Sequence, residues 1–516
     1  MIIEESIKEK PVLKIKSDIF SEIFTLKNGL PIFKAYINGK WVETEKKRDI
    51  YSPIDGSVIA GMYELSQDES LNALRSLYEK GRWDARNTPG SKRLEILERL
   101  ADLIEDHKEE FINALIINSG KPIKAAKGEV EASIDRLRRA PLDLRKLPGD
   151  YIPGDWDEHT LESEGIVRRE PFGVVFAIIP FNYPLFDSVN KMVYSFLPGN
   201  AIAIKPPSSD PLPIILMVKL AIEAGFPKNA ITLLTIPGRV AGELASSKYV
   251  NVISLTGSTE TGIKLIQKAG IKQYIMELGG GDPAIVLEDA DLDLSASKIA
   301  TGIASYTGQR CDSIKLILAE EPVYDELKKK IAIKLTEFKV GDPRDPSVDL
   351  GPVIDKSTAD EWEEAIKEAL ENGGKLLAGG RRIGERYIEP ALIEIRDHEI
   401  LQNLKLYKEE VFASVALITP VKDIDEAIEL ANKRRYGLDA AVFGKDLNKI
   451  RKLVRLLEVG AIYINEYPRH GVGYYPFGGR KDSGIGREGI GYSIEQVTAL
   501  KTIVYNYKGY GIWEYM

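Results

Sequence analysis

Short apolar runs alternate with helical patterns over two long stretches of this chain, and that rhythm restricts the fold more than any other feature. Between residues 171 and 290, Val174 to Ile179, Ala201 to Ile204, Ile231 to Ile236 and Val252 to Leu255 read as strands, each bounded by Pro, Gly or Asn. Leu212 to Ala224 and Ala241 to Ser246, lying between them, have helical apolar spacing. Parallel neighbours need a crossover, usually a helix, so the pattern predicts a doubly wound parallel sheet. A second alternation runs from Pro283 to about Asn465, with strands at Ile285 to Leu287, Lys315 to Ala319, Ala440 to Phe443 and Ala461 to Ile464. Helices fall near 323–338, 357–372, 424–435 and 446–458. The fold class is therefore α/β, with two doubly wound α/β domains. Residues 60–145 read as long charged amphipathic helices, such as Leu94 to Ile104, packed on the first domain.

A chain of 516 residues exceeds one ordinary core of ~100–200 residues, which agrees with two large domains and a smaller accessory element. That element is carried by His159 to Arg169 and Ala499 to Tyr507, whose side chains alternate as in strands away from either sheet. They form either a β arm that docks on a neighbouring subunit or an edge covered by a loop. The expected partition is a dinucleotide-binding domain over 1–150 and 171–285, a catalytic domain over 286–480, and an oligomerisation arm over 151–170 and 490–516.

A formal charge of -8 argues against a phosphate-backbone binder, so no nucleic acid partner is expected. The longest apolar run, Val174 to Ile179, stops at Pro180, far short of the ~20 residues that span a bilayer. The N-terminus mixes Glu and Lys without an apolar core, unlike a signal peptide, and the expected location is cytoplasmic. Scarce Cys and Gln beside abundant Lys, Glu and Ile fit a thermophilic protein. The single cysteine, Cys311, excludes an internal disulfide and a multi-cysteine metal site, and no metal is expected. It is either a buried structural thiol or a reactive one.

Gly308-Gln309-Arg310-Cys311 follows a helix-like stretch, Ser295 to Tyr306, and precedes a strand, which places the thiol at an element boundary. Arg310 beside it can favour the thiolate. Glu277-Leu278-Gly279-Gly280-Gly281 sets a carboxylate before a flexible glycine run, as a base for water or as a surface Glu before a turn. Pro180-Phe181-Asn182-Tyr183-Pro184 closes the first strand, and Asn182 either forms a turn or offers its N–H donors to the ligand crevice.

Taken together, and joined by Lys205-Pro206, Thr256-Gly257-Ser258, Glu410-Val411-Phe412, Pro476 to Gly479 and Lys481 to Gly484, these blocks resemble the aldehyde dehydrogenase superfamily from about residue 35 to 510. The resemblance implies that Cys311 attacks an aldehyde carbon and that the Asn182 amide and the Cys311 N–H hold the resulting oxyanion. It further implies that Glu277 activates the water that hydrolyses a thioester. For the cofactor it implies Gly257 and Ser258 at the pyrophosphate, Lys205 at the adenosine ribose, and Glu410, followed by Phe412, at the nicotinamide ribose. Ser208 stands where NAD-preferring relatives often place a Glu that repels a 2′-phosphate, and Arg239 can add a cation, so NADP is expected, with NAD as a second cofactor.

Within the superfamily the sequence is most similar to non-phosphorylating glyceraldehyde-3-phosphate dehydrogenases, particularly the archaeal kind. That similarity implies a glycolytic, acid-forming oxidation of a phosphorylated aldehyde, with Tyr183, Arg310 and Arg469 at the phosphate. One match fails: an arginine of the bacterial members aligns with Glu131, and Arg136, Arg138 or Arg139, on a helix of about Glu129 to Arg139, substitutes only if that helix is rotated or shifted, at least two of them otherwise forming a solvated face. Succinic semialdehyde or another small anionic aldehyde is the alternative substrate. A CoA-acylating relative is disfavoured by Glu277, and a non-catalytic scaffold by the presence of Cys311, Glu277 and Asn182 together. A homotetramer built as a dimer of dimers is implied.

Overall fold

The computed structural model describes residues 9–156, 159–471 and 473–507. Its first sheet runs Gly484–Ile485, Gln273–Glu277, Val252–Thr256, Val174–Ile178, Ala201–Lys205, Ile231–Leu233, Ala35–Ile37, Lys40–Val42. The strands from Gln273–Glu277 to Ile231–Leu233 are parallel. Val174–Ile178 and Ala201–Lys205 are buried at every position, as expected where helices cover both faces. Chain order advances from Val174–Ile178 to one side, then returns to place Val252–Thr256 on the other. The carboxyl ends of these two neighbours therefore flank a topological switch point, where open α/β sheets bind ligands.

The second sheet is ordered Lys375–Ala378, Ala391–Glu394, Val415–Val421, Ile314–Glu320, Asp282–Val286, Asp439–Phe443, Ala461–Ile464, parallel except at the first pair. Its residues feed two cores by turns: Ala284 and Val286 pack with Ile299 and Tyr324, while Ile285 packs with Leu316 and Trp362. Asp291, Asp355, Asp423 and Asp446 each cap the following helix by accepting from N–H groups of its first turn. The two α/β domains read from the alternation are present. The strand Asp282–Val286 lies wholly in the second sheet, across the expected boundary at 285/286.

Several elements depart from the sequence reading. Residues 60–64 are not helical but belong to the strand Val58–Glu64, which pairs with Lys46–Tyr51 and buries Ile59, Met62 and Tyr63. The strand expected from His159 begins at Ser163, and residues 159–162 form a turn. Ser163–Pro171 pairs along its length with Thr498–Asn506 and on its other side with Asp150–Pro153, making a three-stranded antiparallel sheet. Residues 508–516 of the expected arm and 1–8 of the expected first domain lie outside the described residues. Ile494 belongs instead to the first core. No helix among the described residues is long and apolar enough to cross a membrane.

Candidate active site

A cavity of about 580 Å³ opens at the switch point and is closed from the second sheet's side by the Cys311 loop and by Glu410 to Phe412. Cys311, Glu277, Asn182, Lys205, Ser208, Gly257, Ser258, Glu410 and Phe412 all line it. Nine residues spread over more than two hundred positions thus meet around one space. Arg239, Tyr183, Arg310 and Arg469 are not among the lining residues.

The nucleophile loop is held in an unusual backbone. Tyr306 (φ 51°), Thr307 (φ 55°) and Gly308 (φ 72°) are successively left-handed, a conformation that persists only where surroundings enforce it. The Tyr306 hydroxyl donates to Ser119 O at 3.0 Å, Thr307 Oγ1 donates to Gly351 O at 2.9 Å, and Gln309 Oε1 accepts from Ile354 N at 2.8 Å. Cys311 itself is partly exposed. Crowding of its sulfur pushes the thiol well above its ordinary range, and the nearby Asp312, Glu410 and Asp282 carboxylates add to this. Arg310 does not supply the expected thiolate stabilisation. Its Nη2 sits 2.8 Å from Asp312 Oδ1 and donates to Pro468 O at 2.8 Å, so the neighbouring charge is already neutralised.

Glu277 ends the strand Gln273–Glu277, is 2% exposed, and has no hydrogen-bond partner among the described residues on either carboxylate oxygen. Burial raises its pKa well above the carboxylate range, Glu488 raises it further, and Lys191 and Arg487 oppose. Its neighbours were not foreseen from the sequence. Lys191, on the buried helix Pro184–Phe196, pairs with Glu488 and donates to Thr256 Oγ1 at 2.9 Å, while Asn190 Nδ2 and the Tyr194 hydroxyl also donate to Glu488. Burial pushes Glu488 up, but the Lys191 ammonium wins and holds it below its usual range. The sequence signal was a lysine on a helix whose other positions are mostly apolar.

The glycines after Glu277 serve close approach rather than flexibility. A Cβ on Gly280 would stand 2.0 Å from Cys311 O, and one on Gly279 would stand 2.7 Å from Glu410 Oε2. Asn182 is buried beside this junction and donates from Nδ2 to Gln309 O at 3.2 Å.

The cavity's composition fits a dinucleotide. Ser258 caps the helix Thr259–Ala269 by accepting from Thr261 N, which leaves first-turn N–H groups facing the Gly257 end of the cavity. Lys205, pulled down to about 8 by burial and then by Arg48, offers a cation, and Glu410, whose Oε1 accepts from Gly280 N at 3.0 Å, offers a carboxylate. Arg239 lies elsewhere, on the first turn of Gly238–Ala245 in a separate depression of about 700 Å³ with Glu43, Glu64 and Glu69. The cation felt by Lys205 is Arg48, which no motif in the sequence singles out.

The cations expected at a substrate phosphate are largely engaged. Arg469 is 59% exposed at its side chain, stands 3.7 Å from Glu466, and uses its carbonyl to accept the Tyr463 hydroxyl, so it points outward. Arg136 is fully buried against Asp143 and Asn190, Arg138 pairs with Asp102 and Glu105, and Arg139 pairs with Asp135. Tyr183 is packed edge-on to Tyr306, with the Lys121 ammonium 4.0 Å from its ring centre. His470, next to Arg469, is the inward residue of that loop, its ring between Phe186 (5.7 Å) and Phe477 (4.3 Å).

A thiol, a buried carboxylate and a side-chain amide around a dinucleotide-sized crevice are the equipment of an oxidoreductase that works through a cysteine. The chain belongs to the aldehyde dehydrogenase family, whose sequence profile matches residues 41–503. It is 37% identical over 474 residues to the lactaldehyde dehydrogenase of Methanocaldococcus jannaschii, covering 91% of this chain and 99% of that one. It is 35% identical to the NADP-dependent glyceraldehyde-3-phosphate dehydrogenase of Streptococcus equinus, covering 92% and 98%. The crystal structure of NADP-dependent glyceraldehyde-3-phosphate dehydrogenase from Bacillus halodurans C-125 complexed with NADP superposes with a TM-score of 0.88 at 35% identity, covering 92% of this chain and 99% of that one. This protein is accordingly an NAD(P)-dependent aldehyde dehydrogenase.

Proposed function

We propose that the chain converts a small 2-hydroxyaldehyde, foremost glyceraldehyde 3-phosphate, to its free acid with NADP. The observation that carries the reading is a single cavity lined by Cys311, Asn182 and a Glu277 whose two oxygens lack partners among the described residues. The Cys311 thiol gives its proton to solvent, the sulfur bonds to the aldehyde carbon as the carbonyl π pair moves to oxygen, and the resulting oxyanion is held by Asn182 Nδ2 and the Cys311 N–H. When bound, the nicotinamide cofactor accepts the hydride that leaves this carbon. Glu277 then takes a proton from water, the water oxygen bonds to the thioester carbon, and the carbon–sulfur bond breaks to release the acid. A carboxyl with a raised pKa suits that step, because a base works best when its pKa lies near the operating pH. Cofactor recognition is assigned to Gly257 and Ser258 for pyrophosphate, Lys205 beside Ser208 for the adenosine ribose, and Glu410 with Phe412 for the nicotinamide end. Residues 1–150 and 171–285 are assigned to the cofactor and 286–480 to the nucleophile. The sheet containing Thr498–Asn506, with Leu500 61% and Val504 65% exposed, is assigned to pairing between subunits of a dimer of dimers.

The names of both relatives support the substrate class, since lactaldehyde and glyceraldehyde 3-phosphate each carry a hydroxyl next to the aldehyde. Arg310, tied to Asp312, and Arg469, turned outward, favour lactaldehyde as the second reading. Comparison of kcat/KM for glyceraldehyde 3-phosphate, lactaldehyde, glyceraldehyde and succinic semialdehyde separates them. Glyceraldehyde 3-phosphate is expected to lead; equal or better lactaldehyde turnover moves the assignment to the second reading, and a lead for succinic semialdehyde overturns both. Preference for NAD by tenfold or more refutes the cofactor assignment, and product formed only with CoA refutes hydrolysis. Asn182→Ala is expected to lower kcat by about 100- to 1,000-fold, the usual loss for one oxyanion donor, with cofactor affinity unchanged.

A further inference from the structure

Lys315 is a buried cation that the steps above do not use. It lies on the strand Ile314–Glu320, is 3% exposed, and directs its Nζ at two backbone carbonyls, Ala413 O at 2.5 Å and Gly308 O at 3.4 Å. It makes no ion pair among the described residues. A buried ammonium without a carboxylate in contact is costly, and such groups concentrate at functional sites.

Its two acceptors belong to the two segments that close the cavity. Gly308 ends the left-handed run before Cys311, and Ala413 follows the Glu410 to Phe412 segment. These backbones press together so tightly that a Cβ on Gly308 would stand 2.4 Å from Ala413 C. Glu410 is half-buried and accepts from Gly280 N, again without an ion pair among the described residues. The two charges act on each other across this junction. Burial pulls Lys315 down to about 7, and Glu410 is the charge that most opposes this, with Asp282 helping and Arg434 and Arg310 working against it. Burial pushes Glu410 up to about 7, countered by the Gly280 N–H, then by Lys315 and Arg434, while Glu260 adds to the rise.

We propose that Lys315 is a positioning residue for the cofactor: its ammonium keeps Glu410 ionised, and so able to accept from both hydroxyls of a ribose, while tying that segment to the nucleophile loop. This rests on the assignment of Glu410 to the nicotinamide ribose. One group then sets both the grip on the cofactor and the seat of the thiol.

The test is NADPH binding, followed by fluorescence between pH 5.5 and 9, which needs no turnover. Wild type is expected to lose affinity as the pH falls through about 7, where Glu410 takes up a proton. Lys315→Met is expected to move this loss upward by about one pH unit, equivalent to about tenfold weaker binding near neutrality. Lys315→Gln keeps a donor for Ala413 O but no charge, and should shift the profile in the same way, while Lys315→Arg should restore it. An unshifted profile in folded Lys315→Gln or Lys315→Met overturns the proposal. Glu410→Gln is the control on the underlying assignment: it should bind weakly at every pH, and wild-type binding by it would remove the ribose role of Glu410 whatever Lys315 does.

Discussion

Cys311→Ala should cut aldehyde oxidation by at least about 10⁴-fold, because a covalent pathway has no substitute for its nucleophile. NADPH affinity and melting temperature should stay near wild type, since Cys311 is a free thiol with no side-chain hydrogen bond among the described residues and alanine is the smaller side chain. Steady-state rates on the variant, with a binding titration alongside, decide the matter; appreciable turnover would mean that another group attacks the aldehyde. The state of the thiol gives a second readout. Because its pKa lies well above the ordinary value, the sulfur is protonated at neutral pH in the cofactor-free protein. Alkylation by iodoacetamide should accordingly accelerate about tenfold for each pH unit from 7 to 9 without levelling off, as the thiolate fraction rises. A plateau below pH 8 would show a thiol activated before any ligand arrives.

Glu277→Gln should separate the two halves of the reaction. Acylation needs the thiol and the oxyanion donors, so a first turnover should still release about one equivalent of NADPH per subunit, after which the enzyme stalls as a thioester. Steady-state kcat should fall by about 100- to 10,000-fold, the typical contribution of a general base. Rapid-mixing absorbance and intact mass measure the burst and the adduct; loss of the burst would place Glu277 in the first half instead. The sign of the pH effect follows from burial. Burial raises the pH at which Glu277 ionises above the ordinary carboxylate range, so deacylation in the wild type should quicken as the pH rises and Glu277 ionises.

Sequence and structure agree best where burial alone fixes an element. Val174–Ile178 and Ile314–Glu320 are buried at every position, and it is the unbroken apolar run of the first and the Leu316 to Ala319 run of the second that announce them. Val415–Val421 escaped because Pro420 and an Ala-Leu pair blur its period, and Gln273–Glu277 because its ends are polar. The catalytic trio was legible through motif residues whose separate strand ends the switch point gathers. Side-chain direction was not legible. Whether Arg469 or His470 faces inward depends on how one loop turns, and whether Arg310 is free depends on Asp312 two positions on, whose carboxylate only the folded loop brings to 2.8 Å. The roles of Lys191, Glu488 and Lys315 were not legible for a related reason, since Lys191 meets Glu488, and Lys315 meets Ala413 O, across long sequence separations.

The strand bearing Glu277 is flanked by Gly484–Ile485, with Met276 opposite Ile485, and Leu278 N donates to Ser483 O. Glu488 supplies the counter-charge to Lys191, and Val497 O accepts from Asn200 in the same sheet's shoulder. A ribosome must therefore release the chain to about residue 497 before the sheet that was started first can be finished. Nascent protein lacking that segment should bind no cofactor productively, because the strand that ends in Glu277 would lack its edge partner and Lys191 its counter-charge.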